Sequence, residues 1–465
     1  MFLVPENVNL KKDALIGDDG VRISYAQLEA DAARFAESIR QRCFVIILAD
    51  NSVDTIRFYL SCMTQRCVPL LLEPNLYPDY LEDYVKRYLP RYLWAPEAWL
   101  PTVEPWGSVV FHAGGHVLVQ TAHAIYPMDA NLALLLTTSG STGNPKAVRL
   151  SRRNLEENAT AIVEAMRILP DDRSVTSLPI NYTYGMAIVH MHLRAGASLL
   201  ITSRKVIDPQ FRAFLYRENI TNFQGVPYIH EMMDRLNFYN DPPQGLRFVS
   251  MGGGKAPEAF QDKLNALFAR KGIRFYALYG QTEGTTMLTK LPEGKLQNDS
   301  DCIGVACRGM EASVDPETGE LIFRGTSVCM GFAETWEDLL RGDDNKGILH
   351  TGDLARMDSR GYIYLMGRLK RIVKMAGKRL SMDDVETLVC QTYPQVQCAC
   401  CGADNDLAIF VTEELPERDV KYLVATRLRI SHLSLSVIYL AEIPRTERGK
   451  TDYGKMQKLL EARKQ

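Results

Sequence analysis

Residues 137–146 read Thr-Thr-Ser-Gly-Ser-Thr-Gly-Asn-Pro-Lys, combining glycines, hydroxyls and one lysine in a single stretch. Glycines let backbone N–H groups approach anionic oxygens, hydroxyls add donors, and a lysine supplies full charge. Such a set is suited to wrapping a polyphosphate, and Thr138, Ser139, Gly140, Ser141, Thr142, Gly143 and Lys146 are its candidate contacts. Gly/Ser-rich loops are commonly no more than polar surface. Here Lys146 follows directly, and Pro145 stiffens its approach. Lys146 is followed by Ala147, where a Walker A motif has Ser or Thr, which argues against an ordinary kinase or GTPase.

A second set is Tyr279-Gly280-Gln281-Thr282-Glu283-Gly284. A phenol beside an open glycine suits stacking on a purine, Thr282 offers a hydroxyl to a phosphate, and Glu283 offers a hard oxygen to Mg²⁺. Gly225-Val-Pro227 and Met251-Gly252-Gly253-Gly254 read as strand-end turns, where missing Cβ atoms leave bare backbone for a flat ring. Asp353, in His350-Thr-Gly-Asp353, is a lone carboxylate that could accept two ribose hydroxyls, although by itself such a residue is more often part of a turn. Six cations fall within residues 368–379, with Ile372 and Val373 interrupting the run as a strand would.

These motifs, in this order, resemble the adenylate-forming enzymes: acyl-CoA synthetases, adenylation domains and luciferases. The match spans roughly residues 20–460. The resemblance implies that residues 138–146 hold phosphate, and that Gly253, Gly254, Tyr279 and Gly280 border the nucleotide. Asp353 and Arg368 would contact its ribose. It implies an acid pocket lined by Tyr182, Tyr184, Gly185, Gly225 and Gly252, with catalytic roles for Thr282, Glu283 (also the metal residue) and Lys450. Lys370 resembles the family's hinge pivot, with Lys374 and Gly377 serving the second step. Two departures stand out: Ala147 replaces the usual glycine after the loop lysine, and no arginine closely follows Lys450.

The elements that must position these residues can be read from periodicity. Ser24 to Gln27 is a capping-box pattern opening a helix with Leu28, Ala32, Phe35 and Ile39 on one face. Val45–Leu48 and Val68–Leu72 read as buried strands, with a helix over Asp54–Met63 between them. Leu132–Leu136 reads as a strand entering the phosphate loop, and after the loop a helical pattern starts near Ser151. Residues 76–125, rich in Tyr, Trp and Pro, read as an irregular packed segment. A strand over Arg274–Leu278 precedes Tyr279. Beyond the hinge, a capped helix begins at Ser381 and strands cover Leu407–Val411 and Leu435–Leu440. The fold class is therefore mixed α/β. The resemblance implies that a large N-terminal domain (1–369) of wound α/β layers precedes a small, mobile α+β C-terminal domain (370–465).

Composition sets the outer bounds. A chain of 465 residues is too long for one core. With 54 basic and 56 acidic residues, nothing calls for a nucleic-acid or anionic-membrane partner. The N-terminus lacks a secretory pattern and no apolar run reaches membrane-spanning length. Ten cysteines fit packed free thiols in a reducing compartment, most simply cytoplasm. The Cys398-x-Cys-Cys401 spacing is poor for tetrahedral zinc.

The expected function is an ATP- and Mg²⁺-dependent ligase that activates a carboxylic acid as its acyl-adenylate. The acceptor would be the thiol of CoA or of a carrier protein's phosphopantetheine, or an amine. Residues 174–200 contain no Asp or Glu, which disfavours an α-amino acid as substrate and favours an aliphatic, aromatic or keto acid. The rivals are a phosphoryl-transfer kinase, which Ala147 opposes, and a non-catalytic nucleotide-binding regulator, which would be expected to lack Glu283 or Lys450.

Overall fold

The computed structural model of the protein describes residues 1–39, 41–137, 146–291, 301–375, 378–428, 430–446 and 451–464. Its contacts separate two compact units. The first takes most residues before 313 together with 323–349, and the second takes 313–322 and 350–465.

The first unit contains an eight-stranded sheet whose central strands are parallel: Phe44–Leu48 pairs with Val68–Leu72 and with Tyr92–Pro96, and Val68–Leu72 pairs with Leu132–Thr137. All five residues of Phe44–Leu48 are buried. Val45 and Ile47 enter one hydrophobic core, while Phe44, Ile46 and Leu48 enter another. A strand covered on both faces has no polar side to present, so its sequence is continuously apolar. The expected capping box is present: Gln27 N–H donates to Ser24 Oγ at 3.2 Å, and Gln27 Oε1 accepts from Ser24 N at 2.8 Å.

Residues 76–125 correct the sequence reading, because they are regularly structured. Pro78–Tyr88 is a helix, Tyr92–Pro96 joins the sheet, and Gly107–Ala113 with His116–Thr121 forms a hairpin at its edge. The hairpin turns on Gly114-Gly115, with φ of +55° and +76°. A two-residue loop with both φ positive matches the twist of the strands it joins. His116 is buried; its Nε2 lies 3.1 Å from Asp50 Oδ2 and its Nδ1 3.1 Å from the Gly114 carbonyl. Both partners can only accept, which favours the doubly protonated ring.

The helix expected from about Ser151 is present, with Ser151 as its N-cap, and a strand not read from the sequence precedes it. A strand, Ala147–Ser151, stands between the loop and the helix Arg152–Met166 and pairs antiparallel with Leu132–Thr137. Ala147, the departure noted above, is fully buried and begins this strand opposite Thr137, so its methyl belongs to the core.

Three further strands of this unit run parallel and in order: Asn222–Gly225, Phe248–Met251 and Arg274–Tyr279. In register Gly225 faces Met251, and Met251 faces Ala277.

The second unit pairs the strands Ile348–Met357 and Ile363–Arg368. A 3₁₀ turn, Leu369–Arg371, leads into the hairpin of Ile372–Met375 and Lys378–Ser381. The helix Met382–Thr392 is capped by Ser381, whose Oγ accepts from Asp384 N. A three-stranded sheet of Cys398–Ala403, Asp406–Val411 and Leu435–Tyr439 then packs on helices Met382–Thr392 and Glu417–Leu428 around its own core of Val385, Val389, Ile409, Val411 and Val420. All ten cysteines are free thiols, and no described helix is long and apolar enough to cross a membrane.

Candidate active site

In a parallel sheet, ligands sit at the carboxyl ends of the strands. The three strands just named end at Gly225, Met251 and Tyr279, so the turns at Gly225, at Gly252, Gly253 and Gly254, and at Gly280 lie side by side. Gly280 cannot be replaced without moving backbone: a Cβ there would fall 1.5 Å from the Thr286 carbonyl oxygen. Tyr279 lies near Phe323 at 6.3 Å between ring centroids with planes 25° apart, a stacked arrangement. Thr282 and Glu283 follow in a 3₁₀ turn, and Glu283 O accepts from Cys329 N at 2.8 Å.

The helix Thr183–Arg194 begins at the same place. Its N-cap residue, Tyr182, makes no side-chain cap to the first-turn N–H groups. Gly185 is forced by close approach, since its Cβ would meet the Pro179 carbonyl oxygen at 2.0 Å. Thr183 Oγ1 lies 2.7 Å from Thr282 Oγ1. That contact joins the aromatic segment to the Thr-Glu segment, 99 residues apart. Sequence reasoning passed over Thr183, although a hydroxyl between two tyrosines was the available signal. Nearby, Tyr184 Oη is 2.8 Å from Ser250 Oγ. The side-chain oxygen of Asn181, next in sequence to Tyr182, is buried with no hydrogen-bond partner among the described residues.

Lys146 stands at the start of Ala147–Ser151, about half exposed, with Nζ 2.8 Å from Glu334 Oε1. The candidates Thr138, Ser139, Gly140, Ser141, Thr142, Gly143, Gly377 and Lys450 lie outside the described residues.

In the second unit Asp353 is not the lone carboxylate that was expected. It lies directly across the strand pair from Arg368, whose Nε is 3.0 Å from its Oδ1. Asp353 is buried, whereas Arg368 is largely exposed. Lys370 falls in the 3₁₀ turn and Lys374 in the hairpin strand, where its N–H donates to Asp404 Oδ1.

The cation run also hides a residue of a different kind. Arg371 is nearly buried: its Nε donates to Asp383 Oδ1 at 2.5 Å and its Nη2 to Glu386 Oε1 at 2.5 Å. Its guanidinium lies 3.9 Å from the centroid of the Tyr453 ring. Burial disfavours the Arg371 charge, but Glu386 and Asp383 outweigh it and hold the pKa above the ordinary arginine value. Glu386 is pushed upward by burial in spite of Arg371, and it also accepts from Cys400 N at 2.6 Å and from the Tyr453 hydroxyl at 3.1 Å.

The family model for AMP-binding enzymes matches residues 5–333. The chain belongs to the AMP-binding enzyme family. This AMP-binding enzyme is 29% identical, over 329 residues, to the medium-chain fatty-acid–CoA ligase of Escherichia coli, covering 68% of this chain and 55% of that protein. The chain thus spans little more than half the length of that relative. Its fold matches ATP-bound MatB from Rhodopseudomonas palustris (TM-score 0.77, 22% identity, 98% and 96% of the two chains). It also matches o-succinylbenzoate CoA synthetase from Bacillus subtilis in complex with its acyl-adenylate intermediate (TM-score 0.76, 20% identity, 96% and 95%). The family is that which the sequence motifs resembled, and the large α/β part followed by a small α+β part is its fold.

Proposed function

We propose that the protein joins a carboxylic acid to ATP as an acyl-adenylate, releases pyrophosphate, and passes the acyl group to a thiol. The observation carrying this reading is the 2.7 Å contact between Thr183 and Thr282 at the carboxyl ends of the parallel strands. It brings the segment read as the acid pocket against the segment read as the phosphate and metal site. The uncapped start of the helix Thr183–Arg194 favours an anion there.

The chemistry is mostly that of holding two mutually repelling anions in line and stabilising charge on the phosphoryl oxygens. Tyr182, Tyr184, Gly185, Gly225 and Gly252 would bind the acid, and Tyr279, Gly280, Gly253 and Gly254 the adenosine. Asp353 and Arg368 would take the ribose, and Lys146 with residues 138–143 the phosphates. The donor set at Thr282 and Glu283, a hydroxyl beside a hard carboxylate, fits Mg²⁺, and Glu283 would hold it. When bound, the ion supplies positive charge to the phosphate oxygens. Lys450 would add a cation. At about 4 Å and an effective dielectric near 20, such a charge is worth roughly 4 kcal/mol. Lys370 would be the pivot at the border of residues 1–369 and 370–465, with Lys374 and Gly377 serving the transfer step.

The names of the relatives favour the thiol of CoA as acceptor, and the protein is expected to work in the cytoplasm. The test is acid-dependent ATP–pyrophosphate exchange by the full chain, followed by AMP release with CoA, a carrier protein or free amines. Exchange that depends on the acid, with AMP release driven by CoA, is the expected result. Release of ADP, or no exchange with any acid, would sink the reading.

A further inference from the structure

We infer that the acid pocket accepts a short acyl chain bearing no second charge, and that Tyr184 is its fixed floor. The inference rests on the site assignment proposed above and goes further, to the class of acid.

Glycines at strand ends open space, but here that space is already filled. A Cβ on Gly253 would fall 2.4 Å from Tyr182 Oη and 3.3 Å from Val226 Cγ1. A Cβ on Gly252 would fall 3.5 Å from Tyr184 Cε1 and 3.3 Å from Leu278 Cβ. The two tyrosine side chains therefore lie along the bare backbone, Tyr182 against the glycine assigned to the adenosine and Tyr184 against Gly252, so an acyl chain following Gly252 meets Tyr184 early.

Tyr184 is held in that position by a buried relay. Its hydroxyl lies 2.8 Å from Ser250 Oγ, and the carbonyl of Ser250 is 3.0 Å from His230 Nε2. A carbonyl can only accept, so Nε2 carries the proton and Nδ1 accepts from the Tyr239 hydroxyl at 2.6 Å. Burial lowers the His230 pKa to about 4, which keeps the ring neutral. Tyr184, Ser250, His230 and Tyr239 are all buried. Swinging Tyr184 aside would leave the Ser250 hydroxyl without this partner inside the core.

Charge is absent from the same walls. Residues 222–230, 248–254 and 276–282 contain no Asp, Glu, Lys or Arg. Over residues 174–200 the one such residue is Arg194, at the far end of its helix and bonded to Thr160 Oγ1 at 3.1 Å. A second carboxylate or an ammonium on the substrate would enter with no counter-charge from these segments.

The experiment measures kcat/KM for ATP–pyrophosphate exchange by the full chain with propionate, butyrate, octanoate, benzoate, succinate and alanine. Propionate or butyrate should lead, with octanoate down by about tenfold or more and the charged acids lower still. Tyr184→Ala should raise the octanoate-to-propionate ratio by about tenfold or more. Should that variant fail to fold, Tyr184→Leu gives the same reading with less void, and its ratio should rise in the same direction. A parent led by octanoate, benzoate or succinate would overturn the inference, as would an unchanged ratio in a folded Tyr184 variant. Exchange with none of the acids would instead overturn the adenylation reading beneath it, so the two failures are distinct.

Discussion

Asp353 and Arg368 face each other across one antiparallel strand pair, with Arg368 Nε 3.0 Å from Asp353 Oδ1. Each is a candidate for the ribose, and the register places them at one spot. The arginine is largely exposed, so the ion pair itself contributes little to stability. Asp353→Asn should therefore raise the KM for ATP by about tenfold, the scale of one charged hydrogen bond, while the melting temperature stays nearly constant. An unchanged KM would remove Asp353 from the nucleotide site.

Lys450 is expected to act on charge that develops during adenylate formation. Lys450→Ala should lose about 10²–10³-fold in pyrophosphate exchange, the scale of one transition-state donor. Its thermal unfolding should match the parent. Parental exchange rates in the variant would defeat the assignment.

Lys370 sits in a short 3₁₀ turn just before the hairpin of the second unit. Proline fixes φ near −65° and removes an N–H, so Lys370→Pro should hold one arrangement. Single-turnover measurements should show adenylate formation within a few-fold of the parent and acyl transfer slowed about a hundredfold, roughly 3 kcal/mol on that barrier. Equal slowing of both phases would indicate general damage and no hinge.

Arg371, by contrast, should matter for folding. It connects Asp383, Glu386 and the Tyr453 ring, and removing it leaves the buried Glu386 carboxylate near Asp383 without its cation. Arg371→Ala should destabilise the second unit by about 3–5 kcal/mol, read as a selective gain in hydrogen exchange over residues 372–464. Unaltered protection there would show that the network is dispensable.

The pair of His116 and Asp50 predicts a dependence of stability on pH. Burial opposes the charge on His116, but the bond to Asp50 outweighs it and raises the pKa above its ordinary 6.5. Asp50 is likewise penalised by burial, yet His116 holds it below its ordinary 3.8. A raised histidine stabilises fully below its unfolded value, and that contribution is lost as pH rises through the folded value. The lowered aspartate contributes above its unfolded value and loses that contribution as pH falls through the folded one. The melting temperature should therefore decline slightly from pH 6 to pH 8, by about one degree for each kcal/mol lost in a chain of 465 residues, and His116→Gln should flatten the decline. An equally steep decline in His116→Gln would assign it to other groups.

Much of the fold was legible because its signals are local. Phe44–Leu48 and Val68–Leu72 declare themselves by five consecutive buried apolar residues, and Ser24 with Gln27 by a bond spanning three positions. Residues 107–121 were missed because the aromatic and proline content nearby obscured an alternating strand. Gly114-Gly115 was the overlooked turn signal. The Tyr279 to Glu283 set and the glycine turns were readable from residue type alone. Thr183 meeting Thr282, or Arg371 meeting Glu386 and Tyr453, depends on chain paths that bring 99, 15 and 82 positions together, and no local pattern encodes them. Arg371 was further disguised by the cations around it in the sequence, of which Arg368 and Lys374 are exposed.

The strand Ala147–Ser151 fixes where the glycine-rich stretch before it must end. Thr137 and Ala147 are partners in one ladder, so both ends of the stretch are clamped by the same sheet. One register therefore fixes both anchors: a change that slips the pairing of Thr137 with Ala147 would move the two ends of the stretch together.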